Sequence, residues 1–478
     1  MVAIVCVHAD ARLGSAGVDW LAKGLRMIEQ RERTLNDVVD EAMQRLHVPG
    51  VAIGILRGDR LQEMTCFGVT SVENPLPVDS ETLFQIGSIT KTFTATAIMR
   101  LVEAGRLDLD VPVRQYLPEL YLSDAVVSAS ITLRHLLTHT AGFVGDDFAD
   151  TGRGNDALAR YVAHMRELPQ VTPPGELFSY CNAGFVLAGR VIEVVTGQTF
   201  EEAVRRLVLE PLEMAHSTFE PPDVMLRRFA VGHISPFDDS GEVQIARPWP
   251  LARAANPAGG LTSSLRDLFK YARFHLGHGP NGVLTDRSRE FMQSALAEAG
   301  NFADSVGVSW MLRSIAGNRV VEHSGGTHGQ QTTFKLVPQR DFAVIVLANS
   351  SRGSELHGQL ASWILREHLG LEDRPPEPIA IGRDRLEEYV GHYEQALSSI
   401  DVHARDNTLV VQVTPRGGFP LKDSPPGPTP PPVPFACWSD DHFIGLEPPL
   451  KGARVEFLRG PQGQVHFLRS GGRLVARQ

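Results

Sequence analysis

The 478-residue sequence contains only four cysteines, and they lie far apart without a C-x-x-C pair. This spacing argues against a disulfide scaffold and against a structural zinc site. Long apolar runs are also missing, because no uninterrupted stretch approaches the roughly 20 residues of a membrane-spanning helix. Lysine is scarce as well, with 6 lysines among 46 basic residues. We therefore expect neither a cysteine-rich protein nor an integral membrane protein, and we predict no metal site and no cofactor.

The side chains give a formal net charge of −10, from 46 basic and 56 acidic residues. An acidic surface repels the phosphate backbone, so nucleic acid is not an expected partner. Hydrophobic residues make up 42% and charged residues 21%, which is ordinary for a folded globular chain. The chain is longer than a single hydrophobic core usually supports, so we expect more than one domain.

Residues 1–33 show little periodicity and are predicted to be an N-terminal extension. They lack the positive segment and the long apolar segment of a secretory signal peptide. We therefore expect a cytoplasmic protein. Met27 is an alternative start, because patterned sequence begins soon after it.

The distribution of apolar residues predicts strands near both ends of a helical region. Alternation predicts strands at residues 51–56, 61–67, 310–315, 319–322, 332–337 and 342–347. Helical spacing and capping residues predict helices over about residues 34–46, 88–104, 132–139, 183–196, 264–277 and 353–369. The simplest fold that fits this order is an α/β (α+β) fold. In it, strands from both ends of the region form one antiparallel sheet, which is flanked by helices and carries an inserted helical lobe. We assign it to residues 34–372.

A smaller β-rich region follows this domain. Residues 373–385 contain Pro375-Pro376-Glu377-Pro378 and are predicted to be a stiff linker. Short strand-like runs over residues 386–478 predict a small antiparallel barrel or half-barrel. Leu421–Pro434 contains seven prolines, so we predict an extended loop that cannot be a central strand. That loop either faces solvent or reaches toward a cleft as a lid.

The sequence Ser88-Ile89-Thr90-Lys91 begins the second predicted helix. Because Ser88 and Lys91 are three residues apart, the serine hydroxyl and the lysine amine lie on one face of this helix. A serine needs an adjacent base to become a nucleophile, and a lysine that burial keeps neutral can be that base. The alternative is a helix cap followed by a solvated lysine.

Two further motifs carry polar side chains that are suited to acyl transfer. In Tyr180-Cys181-Asn182, the tyrosine could pass a proton and the asparagine could hold a substrate oxygen and orient Lys91. The alternative is a turn in which Tyr180 packs inward and Asn182 caps the following helix. In His323-Ser324-Gly325-Gly326, the glycines let a substrate approach the backbone. The Gly326 and Ser88 N–H groups could then form an oxyanion hole, whereas a structural hydrogen bond is the alternative role of His323.

The remaining motifs that we searched for do not support metal-dependent chemistry or another class of enzyme. His135 and His139 have a metal-compatible spacing, but no glutamate follows His135 as in H-E-x-x-H, and we predict a scaffold role for both. The G-x-S-x-G and P-loop patterns are missing from the sequence.

The order S-x-x-K, Y-x-N, H-x-G resembles the serine β-lactamase and penicillin-binding-protein superfamily, and more narrowly the class C β-lactamase-like, CubicO-type serine hydrolases. The resemblance covers about residues 34–370. Further motifs that match are His47-Val48-Pro49-Gly50-Val51-Ala52, Phe84-Gln85-Ile86-Gly87-Ser88, Leu133-Arg134-His135-Leu136-Leu137-Thr138-His139-Thr140-Ala141-Gly142 and Pro257-Ala258-Gly259-Gly260-Leu261-Thr262-Ser263.

The resemblance implies that Ser88 is acylated, that Lys91 and Tyr180 share general base and acid duties, and that Asn182 binds substrate. His323 stands where true β-lactamases have the lysine of a K-T-G motif. A histidine with an ordinary pKa of about 6.5 is mostly neutral at pH 7, so strong selection for a β-lactam carboxylate is not expected.

We therefore predict a serine hydrolase acting on small esters or amides, in the first place an esterase. A D-amino-acid peptidase or amidase, or a weak β-lactamase, is the alternative within the family. Relatives with H-x-G include D-aminopeptidase-like enzymes, and some carry lipocalin-like β modules. A non-catalytic scaffold that binds peptides is the alternative of another class. No oligomeric state is predicted.

Overall fold

The computed structural model describes residues 33–237 and 242–478. The predicted extension over residues 1–33 and the start at Met27 therefore lie outside the described residues, apart from residue 33. The chain divides into two compact units, Met1–Ala42 and Met43–Gln478. The second unit holds the central sheet, the helical region and the barrel.

Alternation and buried apolar runs build a seven-stranded antiparallel sheet. Strands from both ends of the predicted domain meet where Val51 pairs with Ala348 and Arg57 with Phe342. The sheet strands are β1 (Gly50–Arg57), β2 (Arg60–Gly68), β7 (Ser305–Val306), β8 (Met311–Ile315), β9 (Asn318–Thr327), β10 (Gln330–Val337) and β11 (Phe342–Ala348); two small pairs are β3 (Leu83–Gln85) with β6 (Thr262–Ser264), and β4 (His233–Ile234) with β5 (Gln244–Ile245). The strands of the sheet lie in the order β2-β1-β11-β10-β9-β8-β7.

Within the second unit, helices cover the sheet and form the lobe between β2 and β7. The bounds of the helices of the whole described chain are α1 (Leu35–Leu46), which begins in the first unit, α2 (Thr90–Glu103), α3 (Ala125–Ser130), α4 (Leu133–Leu137), α5 (Ala157–His164), α6 (Asn182–Thr196), α7 (Phe200–Val204), α8 (Pro221–Met225), α9 (Asn256–Gly259), α10 (Leu265–Leu276), α11 (Asp286–Met292), α12 (Gly353–Leu369) and α13 (Arg383–Glu387). Within residues 33–237 and 242–478, none of the helices has the length and apolar character needed to cross a membrane.

Local signals place several helix ends where we predicted them. Thr132 forms a capping box with His135, and Ser264 caps α10 through the Asp267 N–H. Gly197 and Gly277 end α6 and α10 in the left-handed region, at φ of 70° and 96°. The mixed α/β prediction with an antiparallel sheet is confirmed.

The C-terminal region is a closed eight-stranded antiparallel barrel, in which the first strand pairs with the last. Its strands are β12 (Gly391–Glu394), β13 (Ser398–Arg405), β14 (Thr408–Pro415), β15 (Val433–Ser439), β16 (His442–Gly445), β17 (Arg454–Arg459), β18 (Val465–Ser470) and β19 (Arg473–Arg477). The predicted barrel is confirmed, whereas the domain limits at 34–372, 373–385 and 386–478 stay predictions.

The predicted proline loop is two residues too long at its C-terminal end. Val433 and Pro434 belong to β15, where Pro434 pairs with Val410. A proline is tolerated there because its nitrogen sits near the start of the strand and its carbonyl still accepts from the Leu446 N–H, at 2.9 Å. Strand β19 was also not predicted, because its apolar run is only three residues long.

Candidate active site

Ser88 lies in a single 3₁₀ turn, Gly87–Ile89, that leads directly into α2. Strand β9 passes so close to this turn that side chains are excluded. A Cβ on Gly325 would stand 1.9 Å from the Ile86 carbonyl oxygen, and a Cβ on Gly87 2.6 Å from the Gly326 nitrogen. The H-x-G-G glycines therefore allow the backbone of β9 to line the nucleophile.

Lys91 is fully buried in α2, which contradicts the alternative of a solvated lysine. Its Nζ lies 3.0 Å from Ser88 Oγ, 2.7 Å from Asn182 Oδ1 and 2.6 Å from the Ala258 carbonyl oxygen. Burial, together with the nearby Arg473 charge, holds the pKa of Lys91 well below its usual value. A neutral amine beside a serine hydroxyl can accept that proton.

The Tyr180–Asn182 segment enters α6. Cys181, and not Asn182, is the N-cap, since its Sγ accepts the Gly184 N–H at 3.3 Å. The Asn182 side chain is thereby free to bond to Lys91 and, through Nδ2, to Asp146 Oδ1 at 2.6 Å. The alternative in which Asn182 caps the helix does not hold.

Tyr180 is 5% exposed, and its Oη is buried without a hydrogen-bond partner of normal geometry. Burial raises its pKa, although the nearby Ser88 hydroxyl and Arg473 oppose the rise. The phenol therefore keeps its proton at neutral pH. His139 stacks on the ring at 4.2 Å between centroids and accepts the Cys181 N–H at Nδ1, 2.9 Å away. His139 thus has the predicted scaffold role of holding this segment.

His323 lines the same cleft from β9, 3% exposed. Burial and the neighbouring Lys91 lower its pKa to about 3, so the ring is neutral. Its Nδ1 lies 2.7 Å from the Ser324 carbonyl oxygen, which can only accept, so Nδ1 carries the hydrogen. The buried Nε2 has no partner and is therefore a bare acceptor.

These residues surround one cleft of about 490 Å³. Its apolar wall comes from both the lobe and the barrel, through Phe148, Leu251, Phe302, Leu397 and Phe419. Phe419 packs edge-on against Phe148, and the Lys422 N–H donates to the Phe148 carbonyl at 3.1 Å. The loop between β14 and β15 therefore starts at the cleft mouth, while most of its prolines are exposed.

All seven residues selected from the sequence, Ser88, Lys91, Tyr180, Asn182, His323, Gly325 and Gly326, come together here. Four contributors were not selected: Asp146, the Ala258 carbonyl, Phe302 and the barrel residue Arg473. The Ala258 motif was noticed only as a match to the family, and the other three carry no local signal. His135 lies in its capping box, and no group of three or more potential ligands for a metal ion occurs among the residues described.

A buried lysine that contacts a serine, together with a protonated tyrosine and an asparagine in one cleft, defines a serine hydrolase of the S-x-x-K type. A family model described as Beta-lactamase matches residues 35–367. The chain belongs to this family, within the serine β-lactamase and penicillin-binding-protein superfamily.

Relatives support this assignment along different lengths of the chain. Penicillin-binding protein 4 of Amycolatopsis lactamdurans is 34% identical over 343 residues, which cover 70% of this chain and 89% of that protein. The crystal structure of SurE with D-Leu superposes with a TM-score of 0.72 and 26% identity, covering 93% of this chain and 98% of that one.

Two further structures share the fold. The octameric penicillin-binding protein homologue from Pyrococcus abyssi has a TM-score of 0.65 and 26% identity, over 92% of this chain and 99% of that chain. A class C β-lactamase from Rhodobacter sphaeroides has a TM-score of 0.59 and 23% identity, over 70% of this chain and 99% of its own. SurE and the Pyrococcus abyssi homologue therefore match almost the whole chain, including the barrel.

Proposed function

We propose that this serine hydrolase forms an acyl-enzyme at Ser88 from small esters or amides and passes the acyl group to water. The observation that carries the proposal is the 3.0 Å contact between Ser88 Oγ and the buried amine of Lys91. The opposite pKa shifts of Lys91 and Tyr180 divide their duties, since the amine is kept neutral and the phenol is kept protonated.

The proposed acylation moves two protons. Lys91 Nζ takes the proton of Ser88 as Oγ bonds to the substrate carbonyl carbon, and Tyr180 Oη gives its proton to the leaving oxygen or nitrogen. The Ser88 and Gly326 N–H groups are the proposed donors to the oxyanion. In deacylation, the Tyr180 oxygen takes a proton from the attacking water, and Lys91 returns its proton to Ser88 Oγ as the ester bond breaks.

The first experiment compares kcat/KM for p-nitrophenyl butyrate and D-alanine p-nitroanilide, with Ser88→Ala as the control. We expect the ester to be preferred and both activities to be lost in the variant. Full turnover by Ser88→Ala would contradict the proposal. A chain that is not labelled at Ser88 by an alkyl fluorophosphonate and has no turnover would favour the peptide-binding scaffold.

A D-amino-acid substrate is the second candidate, and the likeness to SurE solved with D-Leu supports it. The apolar cleft wall suits a branched side chain, and the neutral His323 offers an acceptor to a substrate N–H. The p-nitrophenyl esters of N-acetyl-D-leucine and N-acetyl-L-leucine separate the two candidates. Preference for the D ester over both the L ester and the butyrate would favour this candidate, and equal rates would remove it.

We also propose a cytoplasmic location. Cys66, Cys181 and Cys437 are all free thiols, as is usual in a reducing compartment. Fractionation of cells that express the protein, followed by detection in the soluble cytoplasmic fraction, tests this proposal.

A further inference from the structure

The last hairpin of the barrel contacts the segment that carries Tyr180 and Asn182. The Gly472 carbonyl accepts the Tyr180 N–H at 2.8 Å, and the Leu474 N–H donates to Ser179 Oγ at 3.2 Å. Arg473 lies between these two contacts. Its guanidinium carbon lies 4.5 Å from the centroid of the Tyr180 ring. The barrel therefore fixes one arginine against the catalytic tyrosine.

Asp146 connects this arginine to the catalytic lysine. Arg473 Nε donates to Asp146 Oδ2 at 3.0 Å, and Asn182 Nδ2 donates to Oδ1 at 2.6 Å. An ionised carboxylate can only accept hydrogen bonds, so the NH₂ end of Asn182 must face it. The amide oxygen of Asn182 consequently faces Lys91 Nζ, 2.7 Å away.

The same pair sets the charge around Lys91. Burial is the largest cause that lowers the pKa of Lys91; Arg473 lowers it too, whereas Asp146 raises it. Four further titratable groups pack around this site and are uncharged at neutral pH: burial holds Tyr180 and Cys181 protonated, and His139 and His323 neutral. Arg313 and Glu322 also line the cleft, but they bond to each other at 2.7 Å. Arg473 and Asp146 are thus the charged side chains that act on the protonation of Lys91.

We propose that Arg473 and Asp146 are a positioning pair through which the barrel orients Asn182 and balances the charge beside Lys91. The barrel is then a working part of the catalytic site and not only a wall of the cleft. This inference rests on the proposed function, because it assigns to the pair an effect on the base that activates Ser88.

The two members of the pair act in opposite directions, and this is the basis of the test. Arg473→Gln leaves the Asp146 carboxylate uncompensated, which favours the ammonium form of Lys91. Asp146→Asn keeps the size and one acceptor oxygen but leaves the arginine, which favours the neutral amine. The double variant restores the balance of charge. Loss of structure alone would not produce shifts of opposite sign.

The experiment measures the second-order rate of Ser88 labelling by an alkyl fluorophosphonate from pH 5 to 10, with the full-length protein. The labelling rate should rise with pH as Lys91 loses its proton, and this rising part of the profile is its acid limb. We expect the acid limb to move to higher pH in Arg473→Gln, to lower pH in Asp146→Asn, and to lie near wild type in the double variant. A shift of one unit changes the rate on that limb about tenfold. Arg473→Lys should restore most of the wild-type profile, because it keeps the charge.

Arg405→Gln is the matched control, since it removes one positive charge from an exposed position on the barrel outside the cleft. Its limb should equal that of the wild type. Limbs that stay fixed in both single variants would overturn the inference, and so would shifts in the same direction. If Arg473→Gln does not fold, judged by thermal unfolding, Arg473→Lys and Asp146→Asn still decide. Wild-type protein that is not labelled at Ser88 would instead defeat the proposed function.

Discussion

At the scale of single residues, we expect Tyr180 and His323 to determine which substrates the cleft can process. Both are buried and have an unpartnered polar atom, Oη in one and Nε2 in the other. A buried polar atom without a partner costs free energy, which a substrate can recover by bonding to it. We therefore expect Tyr180 Oη and His323 Nε2 to contact the reacting group of the substrate and the group next to it.

Tyr180→Phe should separate substrates by their leaving groups. A p-nitrophenolate departs without protonation, whereas an anilide nitrogen needs a proton in the transition state. We expect kcat/KM, which reports the acylation step, to fall by about 10²–10⁴ for the anilide and much less for the ester. Parallel kinetics with p-nitrophenyl butyrate and D-alanine p-nitroanilide measure this. Equal losses on both substrates would mean that Tyr180 does not protonate the leaving group.

His323→Lys should change the charge preference of the cleft. The variant places an ammonium where the native imidazole is neutral, because burial and Lys91 lower the pKa of His323 to about 3. We expect labelling by a fluorescent penicillin, which carries a carboxylate, to increase, and kcat/KM for the neutral butyrate ester to fall.

His323→Gln is the control for that change, because it keeps a neutral polar side chain. Its penicillin labelling should stay at the wild-type level. An equal increase in both variants would show that the size of the side chain, and not its charge, limits penicillin binding.

At the scale of elements, the approach of β9 to the Ser88 turn depends on Gly325. A Cβ at this position would stand 1.9 Å from the Ile86 carbonyl oxygen and 2.7 Å from Thr332 Oγ1. Gly325→Ala must therefore move β9 away from the turn. We expect esterase activity and Ser88 labelling to fall at least about tenfold, because a 1 Å displacement of catalytic groups can cost 10²-fold.

Gly358→Ala is a matched glycine substitution, in α12. Nothing lies within 4 Å of its Cβ position, and the residue is exposed. We expect unchanged activity and a stability gain of about 0.5–1 kcal/mol, because alanine has the higher helix propensity. Thermal unfolding and kinetics of both variants check this pair, and wild-type activity in Gly325→Ala would contradict the role given to β9.

At the scale of the whole molecule, buried histidines make the folded state sensitive to acid. Burial lowers the pKa of His275, His323 and His357 to about 3. An unfolded histidine binds a proton below about pH 6.5. Between pH 6.5 and 3 the unfolded chain thus binds more protons than the native one, and the free energy of unfolding falls as the pH falls.

We expect Tm to fall between pH 7 and pH 5, with each histidine contributing on the order of 1–2 kcal/mol. Glu322 acts in a lower range. Burial alone would raise the pKa of Glu322, but the charges of Lys335 and Arg313 outweigh burial and lower the pKa to about 2. The contribution of Glu322 to the free energy of unfolding is therefore lost only as the pH falls below about 4.5. Calorimetry at the two pH values measures the effect. His357→Asn should show a shallower loss, and a slope equal to that of the wild type would contradict this account.

Much of the fold follows from patterns that are local in the chain. The hairpin of β1 and β2, the caps at Thr132 and Ser264, and helix α12 were predicted with bounds that differ from the observed ones by a few residues at most. Strands β15 and β19 were not predicted, because proline content and short length hide their alternation. Their pairing becomes favourable only when the barrel closes and satisfies both edges.

The site divides in the same way. Ser88 and Lys91 share one turn of helix, and Tyr180 and Asn182 share one helix entry, so short spacing alone predicted that each pair would act together. Arg473 and Asp146 are 327 residues apart, and arginines and aspartates are common on any surface. Their contact exists because the barrel docks on the lobe, and the low dielectric of the buried site makes their charges matter to Lys91. The proposed nucleophile and its proposed base were therefore determined by the amino-acid sequence, whereas the charge balance around them was decided by tertiary packing.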